Sequence, residues 1–223
     1  MTISRFRDSK VIGNGGFVIS IFYIILAFLT RGLFDTTAPI FNSPSILFVP
    51  IILAYVLIGR SAYNFNFDPK KPWKNGKKIF ILLIIGSCFL LSSQILFNVQ
   101  EFGEILLLEY LGIVLMILHC FVIATAFYFL YNQLQEFYIE GFIIKNPNYM
   151  MSIAYLIQMT GYIFFLIGWF VPQNSAGTIN IIGTVISIVS IIFIIAGAIP
   201  LNISFRAYPY LVEDESLITK NNM

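Results

Sequence analysis

Six long apolar stretches, each ended by polar or turn-forming residues, dominate the chain: 16–34, 45–61, 79–97, 105–131, 149–171 and 178–205. Crossing a hydrocarbon core roughly 30 Å thick takes about 20 mostly apolar residues in helical form, so each stretch predicts a transmembrane helix. Helices also satisfy their own backbone hydrogen bonds where no water can. The expected fold is all-α: a polytopic integral membrane protein forming a six-transmembrane-helix bundle with short loops. Residues 1–223 read as a single membrane domain, with 206–223 as a cytoplasmic tail. Pro50 in the second stretch predicts a kink, and Pro200 near the end of the sixth predicts a bend or an exit from the membrane. Gly13-Asn14-Gly15-Gly16 lacks the full phosphate-loop pattern and reads as a flexible turn leading into the first helix.

Composition strengthens this reading. Only 11% of the residues are charged and 58% are hydrophobic, whereas ordinary soluble domains carry about 25% charge. The first apolar run is too long for a signal-peptide core and no small-residue cleavage site follows it, so it reads as a span. Cys88 and Cys120 fall inside apolar runs and read as small hydrophobes, not as a disulfide framework. The net charge of +2 comes from clustered lysines, which gives no support to a nucleic-acid partner.

Those basic residues report orientation instead. Short cytoplasmic loops collect Lys and Arg. Arg5, Arg7 and Lys10 precede the first span, Arg60, Lys70, Lys71, Lys74, Lys77 and Lys78 follow the second, Lys145 follows the fourth, and Arg206 and Lys220 lie in the tail. With six spans all of these share one side, facing only Arg31, Asp35, Glu101 and Glu104 on the other. Both termini are therefore expected in the cytoplasm and the chain in the cell membrane. Lys70, Lys71, Lys74, Lys77 and Lys78 also form a candidate site for lipid headgroups, although orientation alone accounts for them. Tyr63, Trp73, Tyr128, Tyr131, Tyr149 and Trp169 are expected in the interfacial aromatic belts. Leu134, Phe137, Tyr138 and Phe142 recur at helical spacing, which predicts a helix that continues from the fourth span or lies at the interface.

Ionisable or strongly polar groups inside lipid mark candidate sites. His119 lies on a stripe with Gly112, Met116, Ile123 and Ala126, and is expected to face neighbouring helices as a neutral ring bonded to a serine or a backbone carbonyl. Glu109 is near the outer surface, where it could pair with Arg31; Arg31 and Asp35 could equally pair with each other. At 1.5 Å per residue Glu109 is roughly 15 Å from His119, so the two form no dyad. Small-residue stripes on the third, fifth and sixth spans predict close helix packing. Gln94 on the third and Gln158 on the fifth could meet His119 in a central polar cavity. These four residues, His119, Glu109, Gln94 and Gln158, are the ligand-binding or proton-linked candidates.

No catalytic constellation is legible: one histidine and two separated thiols do not make a zinc site, and no G-x-S-x-G elbow is present. No metal and no cofactor are implied. The exit of the sixth span, Tyr208-Pro209-Tyr210-Leu211, resembles that of membrane modules in some microbial signalling proteins, which implies a signal passed to a separate cytoplasmic protein. The expected function is a sensory, regulatory or accessory membrane subunit whose partners are the bilayer and another membrane or cytoplasmic signalling protein. A small secondary transporter or permease subunit is the first alternative, and a membrane-embedded enzyme acting on lipid is the second.

Overall fold

The computed structural model describes residues 3–29, 45–67, 72–103, 106–139, 146 and 148–221. Its elements are α1 (Ile3–Leu29), a 3-10 turn (Ser45–Leu47), α2 (Phe48–Phe65), α3 (Gly76–Gly103), α4 (Leu106–Ile139), α5 (Met150–Gly168) and α6 (Gln173–Asn221). No strand occurs among the described residues. All six helices contain a segment long and apolar enough to cross a membrane. The protein is thus an all-helical integral membrane protein, as the pattern of apolar runs predicts.

Each helix packs against its neighbours in the chain, and α6 packs back onto α1, which closes a ring. Every joint is antiparallel. On α1–α2, Gly15 abuts Ile58 while Asp8 meets Ser61 and Asn64. On α3–α4, Gly86 lies against Ile123 and Gly112 against Phe97. On α6–α1, Gly16 abuts Leu201 and the Asn202 amide donates to the Gly13 carbonyl at 2.9 Å. The beginning of α1 and the later part of α6 therefore share one end of the bundle with the α2–α3 and α4–α5 connections.

Close approach at these joints explains the small-residue stripes. A Cβ on Gly16 would lie 2.9 Å from Leu201 Cδ2, and one on Gly15 would lie 2.5 Å from Ile58 Cγ1. Gly13-Asn14-Gly15-Gly16 is accordingly not a flexible turn but the interior of α1, where missing side chains let α2 and α6 approach from two sides. The apolar helical segment thus starts earlier than expected, at Asp8, while the expected end of the span at residue 34 lies outside the described residues. Helix–helix association in lipid relies on this kind of packing because lipid tails are as apolar as the side chains themselves.

Pro50 also behaves differently from expectation. Pro50 is the third residue of α2, within the first turn, whose N–H groups have no intrahelical acceptor in any case. It costs no hydrogen bond there and gives no reason for a kink. α6 runs on through Pro200 and Pro209 to Asn221, 49 residues in all, so the chain leaves the membrane segment as helix. The Tyr131 hydroxyl donates to the Gly197 carbonyl at 3.2 Å and so ties α4 to α6 one residue beyond Ala196, whose carbonyl loses its helical partner at Pro200.

Trp73 and Tyr131, expected in the interfacial belts, are buried. Trp73 stacks on Phe65 with centroids 4.8 Å apart and reaches Phe137 at 5.8 Å, so the extension of α4 is pinned to the α2–α3 connection. Tyr128, Tyr149 and Trp169 are exposed.

Gly161 and Gly177 test the packing rule in opposite directions. A Cβ on Gly161 would collide with Ser187 and sit 3.0 Å from the Gly183 carbonyl, whereas one on Gly177 meets nothing within 4 Å. In thermal unfolding of the detergent-solubilised protein, Gly161→Val should cost about 1–3 kcal/mol by overpacking. Gly177→Ala should be neutral or stabilise by about 0.4–1 kcal/mol.

Candidate functional site

The middle of the ring is filled by aromatic and polar side chains. α1 contributes Tyr23, α2 Tyr55, α4 His119 and Phe127, and α5 Tyr155, Gln158 and Tyr162, all of them buried. On α6 the buried Ser187 lies against Gly161, with the buried Ser190 one turn along, and α3 supplies a backbone carbonyl. Every helix thus contributes to one layer near mid-span.

Tyr155 is the hub. Its hydroxyl lies 2.5 Å from that of Tyr55, and its ring stacks on Phe127 at 5.8 Å and 4°. Tyr23 meets it edge-on at 6.3 Å and His119 at 6.2 Å. His119 is also 5.8 Å from Tyr55. Such edge-to-face and stacked pairs contribute about 0.5–1.5 kcal/mol each beyond simple burial. The cluster therefore ties α1, α2, α4 and α5 together through the centre of the ring.

His119 has the kind of partner expected for it: Nδ1 lies 2.8 Å from the Gly86 carbonyl of α3. Because a carbonyl can only accept, Nδ1 carries the proton of that bond, and in the neutral ring the lone pair sits on Nε2. Nε2 is buried without a hydrogen-bond partner, and the same is true of the Tyr23 hydroxyl, Gln158 Oε1 and both amide atoms of Gln94. The Gln158 amide donates to the Tyr162 hydroxyl at 3.3 Å. Tyr23 is near enough to Tyr55, Tyr155 and Gln158 to interact electrostatically. Each buried polar group left unpaired costs about 1–3 kcal/mol, so this layer holds unused hydrogen-bonding capacity.

The three residues expected to converge are all buried, and the helix registers fix their relative depth. On α5–α6, Gly161 faces Ser187 and Gly168 faces Asn180, which puts Gln158 level with Ser190. On α3–α4, Ser93 Oγ meets Met116 Sδ at 3.0 Å, which puts Gln94 level with Leu115. Gln94 is therefore about one turn, ~6 Å, along the axis from His119. His119 and Gln158 belong to the aromatic layer, and Gln94 sits beside it.

Glu109 lies apart, half-buried in the first turn of α4, where its charge complements the positive end of the helix dipole. Its proposed partner Arg31, like Asp35, falls outside the described residues, and so do Lys70 and Lys71. Lys74, Lys77 and Lys78 are exposed, with Lys78 Nζ 5.6 Å from the centre of the Phe129 ring. Among the described residues no group of three or more His, Cys, Asp or Glu side chains could hold a metal ion.

Sequence reasoning missed the tyrosines. Tyr155 and Tyr162 lie three residues before and four after Gln158 on one helical face, a signal that was available. Tyr23 and Tyr55 sit within spans and away from the headgroup zone, which is the other clue. Also missed was Asp8, whose buried carboxylate accepts from Asn64 Nδ2 at 3.0 Å and Ser61 Oγ at 3.4 Å and fastens α1 to α2.

Chemically, the layer brings hydroxyl, imidazole and amide groups together in one place. Among the described residues Asp8 is the one charged side chain that is buried, and it lies near the start of α1, not in the layer. Tyr155→Ala should cost about 3–5 kcal/mol, as deletion of a large buried ring does, while Tyr155→Phe should cost about 0.5–1.5 kcal/mol for one hydrogen bond. Thermal unfolding in detergent measures both, and equal losses would contradict the hub role of the ring. Comparison with protein-family models, with curated proteins and with solved structures gives no match to this chain.

Proposed function

We propose that the chain is a non-catalytic sensory or regulatory module of the cell membrane, with both ends in the cytoplasm, whose central layer answers to a small uncharged hydrogen-bonding molecule. The observation that carries this reading is α6, which packs Ser187 against Gly161 of α5, beside the layer, and continues as one helix to Asn221. Residues 205–221 extend this helix about 25 Å past the membrane segment at 1.5 Å per residue. A change in packing at the layer therefore has a continuous helix through which to reach a separate cytoplasmic protein. The Lys and Arg distribution supports the orientation.

The unpartnered polar atoms near mid-span favour a second reading, a small carrier that binds its solute in this layer. The neutrality of the layer weighs against coupling to an ion. Two measurements separate the readings. Spin labels at Glu136→Cys and Ser216→Cys, in a Cys88→Ser background, report the spacing of the α4 and α6 extensions in liposomes. The sensory reading expects Gln158→Leu or Tyr55→Phe to shift that distance by about 2 Å or more, the scale of helix movements in switching proteins. An unchanged distance, together with solute flux into liposomes that disappears on His119→Ala, would establish the carrier instead.

A further inference from the structure

Away from the central layer, α1 and α2 leave a groove between them on the outer wall of the ring, with a volume of about 510 Å³. Its floor is the close contact at Gly15 and Ala54, where the missing and small side chains bring the two helices together. Its walls are Val18, Leu53 and Leu57, the two leucines being exposed. Pro50 closes one end and Lys10 with Asn14 the other.

Polarity and length both constrain the occupant. The groove is apolar along its course and polar only at the end bearing Lys10 and Asn14, whose side chains are exposed. The Asn202 amide donates to Asn14 Oδ1 at 3.0 Å, which leaves the Asn14 amide as donor toward a ligand. The α1–α2 register, with Gly15 on Ile58 and Asp8 on Ser61, sets Pro50 near the level of Ile21. From Lys10 to that level is about 16 Å at 1.5 Å per residue, close to half of a ~30 Å hydrocarbon core. An apolar channel one leaflet deep, with an ammonium at headgroup depth, has the dimensions and charge of a lipid seat.

We propose that this groove holds one acyl chain of an anionic phospholipid from the Lys10-bearing leaflet, with the phosphate engaged by Lys10 and Asn14. The chain fills the space between Leu53, Leu57 and Val18, and the basic side chain selects the headgroup. Basic residues near a membrane surface attract anionic lipid by about 1 kcal/mol each, so the selectivity due to Lys10 is about fivefold.

Native mass spectrometry of the full-length protein, released from micelles containing equal amounts of phosphatidylglycerol and phosphatidylcholine with matched chains, tests this directly. One phosphatidylglycerol should be retained about fivefold over phosphatidylcholine. Lys10→Glu should abolish that preference, and Leu53→Trp, which fills the groove, should lower retention of both lipids. Leu57→Phe reads the same effect should Leu53→Trp not fold. Equal retention of the two lipids, a preference that survives Lys10→Glu, or retention indifferent to both groove-filling variants would overturn the proposal. So would a dimer that vanishes on Leu53→Trp, since the groove would then seat a second copy of the chain.

Discussion

The structure depends on how helices attract one another in lipid, where exchanging a lipid tail for a leucine side chain gains almost nothing. What remains is close packing and hydrogen bonding. This chain supplies the first with glycine at the joints, Gly15 toward α2, Gly16 toward α6, Gly86 toward α4 and Gly161 toward α6. It supplies the second with pairs that cross between helices, among them Asp8 with Asn64, Asn202 with the Gly13 carbonyl, and Ser152 with the Ala124 carbonyl. Short joints between sequential neighbours, together with the α6–α1 contact, produce a closed ring.

Drawing the helices together at their joints leaves a central space that large side chains must fill. Tyrosines do so here, and each ring brings a hydroxyl into the interior. That coupling between geometry and chemistry accounts for the character of the layer: aromatic packing around Tyr155 makes it rigid, while the hydroxyls, His119 and Gln158 make it polar. A packed polar layer has few alternative arrangements, because buried partners must be exchanged together. The proposed sensory role rests on this layer, with α6 proposed as the element that carries its state outward.

The spans were legible because twenty apolar residues in lipid have one dependable solution. The stripe through His119 and the small-residue stripes were legible for a related reason: helical spacing alone decides which residues share a face. Features that depend on the neighbour were not. Gly13-Asn14-Gly15-Gly16 has the composition of a turn, and only the approach of Ile58 and Leu201 makes it helix interior. Trp73 has the flanks of a belt residue, yet Phe65 and Phe137 enclose it. Pro50 looked like a kink because its apolar run begins several residues earlier than its helix does, and the 3-10 turn at Ser45–Leu47 occupies that interval. The meeting of Tyr23, Tyr55 and Tyr155 requires the ring itself, which no local pattern encodes.

Ring closure between α1 and α6 is the most direct test of this account. Asn14 and Asn202 touch through their side chains at 3.0 Å although 188 residues separate them. Paired Asn14→Cys and Asn202→Cys substitutions in a Cys88→Ser background, oxidised in the membrane and followed by electrophoresis, should give a cross-link within one chain. Absence of a cross-link, or one that forms only between two chains, would contradict the closed ring and the central layer that depends on it.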